Sequence, residues 1–233
     1  MSQVKKKVLL SWSSGKDSAW TLHVLRQQGT YEIAGLITTI NSAFDRVAMH
    51  STRRALVQMQ AAAAGLPLIS VPLPWPCSNA DYESAMQKVC DQATADRVSA
   101  IAFGDLFLAD IRAYREKQLK DTGLQPLFPL WQIPTDELAH TIVRSGLRAK
   151  LVCVDPKALA PEFAGRDFDE KLLADLPPHV DPCGENGEFH TFVHAGPMFD
   201  HEIPVVTGER VQRDGFWYCD VLPVETPSAT ARA

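Results

Sequence analysis

Residues 8–29 read VLLSWSSGKDSAWTLHVLRQQG, and this stretch decides the fold. Val8–Trp12 predicts a buried strand, and Lys16–Gln28 predicts a helix that Gly29 closes with a C-terminal cap. A strand that leads through a short Ser- and Gly-containing loop into a helix is the opening unit of an α/β sheet. Ligands of such sheets bind beyond the carboxyl ends of the strands, where this loop is expected to lie.

The loop Ser13–Ser18 (SSGKDS) has the chemistry of a phosphate-binding site. Amides at a helix start and the helix dipole both attract an anion, and Gly15 lets the backbone approach it closely. Lys16 opposes the dipole, so it suits this position only when a polyphosphate binds. Asp17 would repel that phosphate unless Mg²⁺ bridged the two, which makes Asp17 the expected metal ligand. Three hydroxyls can donate to phosphate oxygens: those of Ser13, Ser14 and Ser18.

An ordinary helix capped by Ser14 is the alternative, but it leaves Lys16 unexplained. A Walker loop would need GxxxxGK[ST], and Leu10 stands where its first Gly belongs. The segment resembles the SGGxDS signature of the PP-loop ATP pyrophosphatases, with Ser14 at the second position. The resemblance implies that ATP is split between its α and β phosphates and that AMP passes to the substrate. It also implies an adenine nucleotide alpha-hydrolase-like fold.

Strand and helix patterns alternate over the first two thirds of the chain, which predicts a parallel sheet with helices on both faces. The predicted strands are Glu32–Ile40, Leu68–Leu73 and Ser99–Leu106, and the predicted helices are His50–Ala64, Ala80–Ala95 and Asp110–Asp121. After residue 130 the pattern changes to a smaller α+β domain. Its predicted elements are a helix from Thr135 to near Gly146, the strand Lys150–Asp155, the helix Asp167–Leu176, and strands from Phe189 with a hairpin turn at Asp214-Gly215. We therefore expect an ATP-binding domain over 1–130 and an acceptor domain over 131–233, with a disordered tail from about 225.

The composition excludes several classes of protein. The net charge is −5 with scattered basic residues, so nucleic acid is not an expected partner. The five cysteines form no CxxC pair, which argues against a zinc ribbon, an iron–sulfur cluster or a disulfide scaffold. No apolar run approaches the roughly 20 residues of a membrane helix, and the apolar start is too short for a signal peptide, so a cytoplasmic protein is expected. A homodimer is expected only because symmetric dimers are common.

Further segments narrow the resemblance to the diphthine–ammonia ligase family. They are Thr38–Asn41, Asp45–His50, Arg53, Gly104-Asp105, Arg112, Glu116, Pro129–Trp131 and the long motif Asp181–Thr191. The match runs from about Val8 to Val193. It implies an enzyme that adenylates the carboxylate of diphthine on elongation factor 2 and lets ammonia displace AMP. The family also has short prokaryotic members, some associated with cobalamin salvage, so another small carboxylate is the alternative acceptor.

The residues between the loop and residue 130 have expected roles around ATP. Thr38 and Thr39 would lie beside the adenine, or they simply favour a strand end. His50 and Arg53 would reach the α-phosphate or the substrate, although a surface salt bridge accounts for Arg53 nearly as well. Asp105 gains weight as a catalytic residue because it follows a strand. Arg112 would clamp an anion with Glu116 orienting it, or the two form an ordinary i,i+4 pair.

The segment Cys183–His190 is the expected acceptor site. Glu185 or Glu188 would deprotonate ammonium, Asn186 would fix the acyl group, and His190 would act as a base or a hydrogen-bond donor. A tight polar turn is the alternative, but it would not need this set of side chains. Free ammonium is the expected nitrogen source. Two competing functions remain at this point, a tRNA sulfurtransferase and a non-catalytic nucleotide-binding module.

Overall fold

The computed structural model describes residues 5–47 and 51–224. The prediction for His50 and the predicted tail from residue 225 lie outside these ranges. Within them, no helix is both long enough and apolar enough to cross a membrane.

The first sheet contains six strands from the first part of the chain. They are β1 (Lys6–Ser11), β2 (Tyr31–Asn41), β3 (Arg46–Val47), β4 (Leu68–Leu73), β5 (Val98–Ala102) and β6 (Gln125–Leu127). Their order is β3-β2-β1-β5-β6, with β4 also paired to β2. All pairings are parallel except that of the short β3 with the end of β2. Because β1 lies in the middle, the loop that follows it emerges at the centre of the sheet's carboxyl edge.

Helices cover both faces of this sheet, as the fold class predicts. They are α1 (Lys16–Gln28), α2 (Arg54–Ala63), α3 (Asn79–Ala95) and α4 (Ala109–Leu119). Alternate residues of β1 point to opposite faces, so Val8 and Leu10 join the core cluster that includes α1 and α2. Leu9 joins the cluster on the other face, where Cys90 of α3 and Leu119 of α4 pack.

The second sheet is antiparallel and follows residue 130. Its strands are β7 (Arg148–Val154), β8 (Phe189–Ala195), β9 (Val205–Arg213) and β10 (Phe216–Pro223), in the order β8-β7-β10-β9. Two helices, α5 (Thr135–Arg144) and α6 (Glu170–Asp175), precede β7 and β8, with a short 3-10 helix at Pro161–Phe163. The predicted hairpin turn is present, since Asp214 and Gly215 both have positive φ, 50° and 86°.

Several predicted boundaries were wrong, and each has a local cause. The helix predicted from His50 begins at Arg54, because Arg53 is an extended N-cap residue with φ −60° and ψ 138°. The helix predicted from Asp167 begins at Glu170, because the Asp169 side chain caps it by accepting the N–H of Leu172.

The strand predicted to reach Leu106 ends at Ala102, because the chain then turns to pass the first turn of α1. A Cβ on Gly104 would come within 2.9 Å of the backbone of Asp17, so this passage is tight. Strands β3 and β6 were missed because they contain only 2 and 3 residues, too few to produce a pattern.

Candidate active site

The Ser13–Ser18 loop joins β1 to α1 and has a defined internal structure. Ser14 has a φ of 73°, in the left-handed region that favours glycine, and its side chain is buried. Gly15 is the extended N-cap of α1. The Ser13 and Ser18 hydroxyls lie 3.2 Å apart, and the Ser18 hydroxyl donates to the Gly15 carbonyl at 3.0 Å. The loop therefore folds back on itself at the helix start.

Strand β8 of the second sheet is hydrogen-bonded to this loop. The amide of Val193 in β8 donates to the Ser14 carbonyl at 3.0 Å. The amide of Lys16 donates to the Thr191 hydroxyl at 3.0 Å, a bond between residues 175 positions apart. Thr191 belongs to the long motif, but the sequence suggested no role for it. Its position makes it a residue that fixes the loop.

Gln60 of α2 is fully buried and ties three segments together. Its amide nitrogen donates to the Ser14 carbonyl at 3.0 Å and to the Val193 carbonyl at 2.6 Å. Its oxygen accepts the indole N–H of Trp12 at 2.8 Å. Sequence analysis missed Gln60, although its position offered a signal. It shares one face of α2 with the buried Val57 and Ala61, and a polar residue on an apolar stripe is unusual.

Lys16 is 2% exposed and lies between the two sheets. Its ammonium donates to the Asp17 carboxylate at 2.9 Å and to the Cys183 carbonyl. The rings of Phe168 and Phe189 each lie 5.6 Å from it. Burial is the largest single effect and would lower the pKa of Lys16, but the Asp17 carboxylate together with Cys183 and Glu185 outweighs it, so the pKa is raised. Lys16 therefore stays a cation.

A polar cavity of about 260 Å³ opens beside the loop. It brings together residues that the sequence placed in two separate groups, the loop and the acceptor segment. Its lining includes Ser13, Lys16, Asp17, Ser18, Asp105, Cys183, Glu185, His190 and Thr191.

A large cavity of about 610 Å³ adjoins the polar cavity. Thr39, Ile37, Val47 and Leu73 line it together with Tyr82 and Met86 of α3. Thr38 is not among the described lining residues, and its buried hydroxyl has no hydrogen-bond partner in the described part of the chain. Six residues line both cavities: Ser11, Ser13, Phe103, Ile111, Arg115 and His190. The cavities thus meet between β1, β5 and α4.

Glu185 crosses the polar cavity toward the loop that follows β5. One carboxylate oxygen accepts the amides of Leu106 and Phe107, at 2.8 and 3.4 Å. Burial raises the pKa of Glu185 to about 7, against the opposing effect of these bonds. Burial also raises the pKa of Asp105. Two acids of this cavity are thus poised to hold a proton nearer neutral pH than ordinary carboxyls.

His190 and Cys183 are both held uncharged. Burial, together with the Lys16 charge, lowers the pKa of His190 to about 4. Burial raises the pKa of Cys183 to about 12, and its sulfur lies 3.3 Å from the Thr135 carbonyl. At neutral pH the cavity therefore contains a neutral imidazole and a thiol.

Asn186 and Glu188 organise the turn rather than face the polar cavity. One Glu188 oxygen accepts the Asp181 amide and the Asn186 side-chain N–H, both at 3.0 Å. Neither residue is among the described residues that line the polar cavity. The Asp181 carboxylate in turn accepts the amides of Cys183 and Glu185 at 2.9 and 3.2 Å. This network fixes the backbone that presents Glu185.

Arg53 lies in a different set of contacts. It pairs with Asp220 of β10, as does Arg46, whose guanidinium is 3.0 Å from the same carboxylate. Arg53 is not among the described lining residues of either cavity. This arrangement is the salt bridge that the sequence left as an alternative.

Arg112 also forms the simpler of its two expected arrangements. It makes an i,i+4 pair with Glu116 at 2.8 Å and lies over the rings of Phe128 and Trp131, at 4.8 and 4.7 Å. Arg115 lines both cavities instead, and sequence analysis missed this residue. The i,i+3 spacing puts both arginines on neighbouring faces of α4, and only the packing of β5 distinguishes them.

No group of three or more His, Cys, Asp or Glu side chains in residues 5–47 and 51–224 is arranged to hold a metal ion. Asp17 lines the polar cavity but is already paired with Lys16. A divalent cation at Asp17 would therefore need further oxygen ligands from a bound phosphate.

The fold and site define an α/β protein whose Ser13–Ser18 loop lies at the centre of the carboxyl edge of its parallel sheet. Two family models cover most of the chain: the diphthamide synthase N-terminal domain matches residues 6–126, and the C-terminal domain matches residues 134–223. The first alone spans more than half of the chain. This protein belongs to the diphthamide synthase family.

Curated relatives carry one name. Diphthine–ammonia ligase of Homo sapiens is 33% identical over 122 residues, which are 50% of this chain and 45% of that protein. The Schizosaccharomyces pombe protein of the same name is 29% identical over 126 residues, 52% of this chain and 21% of that protein. The chain thus spans less than half the length of these relatives.

Among solved structures, the U34-tRNA thiolase NcsA from Methanococcus maripaludis with its [4Fe-4S] cluster aligns with a TM-score of 0.40 and 16% identity. The alignment covers 61% of this chain and 57% of that one. At this TM-score the likeness is too weak to bear on fold or function.

Proposed function

We propose that this protein is an ATP-dependent carboxylate–ammonia ligase that releases AMP and pyrophosphate, with diphthine on elongation factor 2 or a similar carboxylate as acceptor. One observation carries the proposal: the Ser13–Ser18 loop and the acceptor segment around Glu185 line the same polar cavity. The name of the curated relatives supports the same reaction.

In the proposed complex, each of the two cavities would hold one half of ATP. With its β and γ phosphates on the loop, the nucleotide would extend its nucleoside into the large cavity beside Thr39. Thr38, the neighbouring residue of β2, points to the opposite face of the strand, so Thr39 and not Thr38 would contact the nucleoside. Asp17 would hold Mg²⁺ together with phosphate oxygens, and the ion would supply charge neutralisation of the polyphosphate. Lys16 supplies a fixed positive charge to the same region.

The proposed chemistry needs activation because a free carboxylate does not react with ammonia. Attack of the acceptor carboxylate on the α-phosphorus forms an acyl adenylate and releases pyrophosphate. Ammonium first loses one proton to give ammonia, ammonia attacks the acyl carbon, AMP leaves, and a base must remove a second proton from the nitrogen to give the amide. Glu185 is the base for that proton, since its pKa of about 7 lets it accept a proton near neutral pH. Neutral His190 supplies a hydrogen bond to the reacting groups.

The remaining roles follow from this assignment. Asn186 and Glu188 hold the turn that presents Glu185, and Asp105 lines the same polar cavity. Residues 1–130 form the ATP-binding part and residues 131–233 the acceptor part, with free ammonium as nitrogen source. We further propose a cytoplasmic protein that forms a homodimer and needs no nucleic acid.

The test follows pyrophosphate and orthophosphate release from Mg-ATP in parallel, with ammonium and candidate carboxylates, beginning with elongation factor 2 carrying diphthine. Acceptor-dependent pyrophosphate and AMP are expected, and both should be lost in Lys16→Ala. The matched control is Lys171→Ala, whose side chain is 78% exposed. Orthophosphate and ADP as products would overturn the proposal.

A further inference from the structure

The junction of the two cavities is where the reaction would occur. If the nucleoside lies in the large cavity and the β and γ phosphates lie on the loop, the α-phosphate must lie between them. The residues that line both cavities therefore surround it. Among the described ones, the only permanent cation is Arg115.

Arg115 is fixed in place but retains unused donors. One terminal nitrogen donates to the Tyr82 hydroxyl at 3.3 Å, and the guanidinium lies 5.0 Å from the centre of the Phe103 ring. These contacts orient its plane. Its Nε is buried and has no hydrogen-bond partner in the described part of the chain. A guanidinium has five N–H donors in a rigid fork, so Arg115 has donors left over for a ligand.

Asp105 does not accept a hydrogen bond from the Arg115 Nε. Its Oδ2 lies 3.9 Å from the Arg115 Nε, too far for a hydrogen bond, and both atoms are buried without a hydrogen-bond partner in the described chain. The Arg115–Asp105 ion pair is therefore long and lacks a hydrogen bond, so the Arg115 Nε–H remains a donor that a ligand oxygen could accept.

The neighbouring cations are already committed. Lys16 donates to Asp17 and to the Cys183 carbonyl, and Arg112 is paired with Glu116 on the outer side of α4. Arg115 is thus the cation of this region with free directional donors.

We infer that Arg115 binds the α-phosphate of ATP and, after activation, the phosphate of the acyl adenylate. This inference rests on the proposed function. A bidentate contact from Arg115 would hold the phosphorus in position and offset the negative charge that develops on its oxygens during attack. Asp105, across the gap, limits how far the guanidinium can move.

The test compares ligands that differ by one phosphate group. Affinities of the full chain for Mg-ATP are measured by calorimetry, and those for AMP, adenosine and pyrophosphate by competition against it. The variants are Arg115→Met and Arg115→Lys. Lys117→Met is the control, since it removes an exposed cation from the same helix. Circular dichroism checks that each variant folds.

We expect Arg115→Met to weaken the affinity for AMP roughly ten- to a hundredfold, which is the range for loss of a charged hydrogen bond. The affinities for adenosine and pyrophosphate should change little. Arg115→Lys should recover only part of the affinity for AMP, because lysine keeps the positive charge but lacks the forked donors of the guanidinium. If Arg115→Met does not fold, a selective loss of AMP in Arg115→Lys carries the same test.

The inference would be overturned if Arg115→Met weakened the affinities for AMP and adenosine equally, or if it left the affinity for AMP unchanged. Wild-type protein that binds Mg-ATP but releases no pyrophosphate with any acceptor would sink the ligase proposal while the AMP comparison still decides the role of Arg115. Wild-type protein that binds no Mg-ATP would overturn both.

Discussion

The hydroxyls of Ser14 and Thr52 lie 2.9 Å apart in a buried hydrogen bond. Ser14 occupies the position where the SGGxDS signature has a glycine, and its φ of 73° explains that glycine. Serine is strained in this conformation, and the bond to Thr52 offsets part of the strain. The loop keeps a glycine-like backbone without a glycine.

The two contributions can be separated by substitution. Ser14→Ala loses the bond to Thr52 but keeps the left-handed backbone, whereas Ser14→Gly loses the bond and relieves the strain. We expect Ser14→Gly to be more stable than Ser14→Ala by about 1 kcal/mol, measured by urea unfolding. Equal stability of the two variants would mean that the backbone at Ser14 is not strained.

Gln60→Met should destabilise the protein by roughly 2–4 kcal/mol, because the buried Trp12 indole N–H and Val193 carbonyl lose their bonds to Gln60, and the Ser14 carbonyl loses one of its two donors. Mg-ATP affinity should fall as well, since the Ser14 carbonyl is one of those groups. Gln87→Met is the matched control, an exposed glutamine that bonds only Asp91 among the bonds described. A cost below about 0.5 kcal/mol, the range of ordinary surface changes, would contradict the role of Gln60.

Gly104→Ala should cost roughly 1–3 kcal/mol and weaken Mg-ATP binding, because its Cβ would come within 2.9 Å of the Asp17 backbone. Backbone cannot give way as a flexible side chain does, so β5 and α1 would have to separate. Gly208→Ala is the control, since its Cβ would meet its nearest neighbour at 3.4 Å, an ordinary contact. Thermal unfolding and calorimetry measure the two effects, and wild-type values for Gly104→Ala would show that the passage is not tight.

Glu185 makes stability depend on pH. Its folded-state pKa of about 7 lies above the ordinary value of 4.5, so the folded state prefers the protonated form. The stability that this group contributes is complete below pH 4.5 and is lost as the pH rises through 7. Glu185→Gln should therefore gain stability relative to wild type over that window, by about 1–2 kcal/mol, because solvent screening of this half-buried carboxylate reduces the effect of the full pKa shift.

Urea unfolding between pH 5 and pH 8 checks this expectation. Glu137→Gln, an exposed carboxylate on α5, is the control and should track the wild type throughout. If Glu185→Gln also tracked the wild type, the carboxylate would not be buried as described.

The sequence was sufficient for the parallel sheet because each of its long elements carries its own signals. Apolar strands, Gly29 with a φ of 62°, and the capping box between Ser78 and Asp81 fix the order of strands and helices locally. Short elements such as β3 and β6 depend on neighbours that are distant in sequence, so no local pattern marks them. The division of the chain near residue 130 stays a prediction.

The site was only partly predictable for a similar reason. The loop and Glu185 could be recognised by residue type, and the polar cavity brings them together. Choosing Arg115 over Arg112 required knowing which side of α4 meets β5. Gln60 required knowing that one face of α2 covers a carbonyl of the loop. Such choices depend on tertiary packing, which the order of residues along one helix does not reveal.

The bond between the Lys16 amide and Thr191 has a thermodynamic consequence. A ligand that orders the loop also stabilises the position of β8 that is hydrogen-bonded to the loop. Ligand binding and local opening of the second sheet are therefore linked equilibria. Saturation with nucleotide should slow hydrogen exchange at the amides of β8, although that strand begins more than 170 residues after the loop. The exchange rates of the antiparallel sheet would then show whether a nucleotide is bound at the Ser13–Ser18 loop.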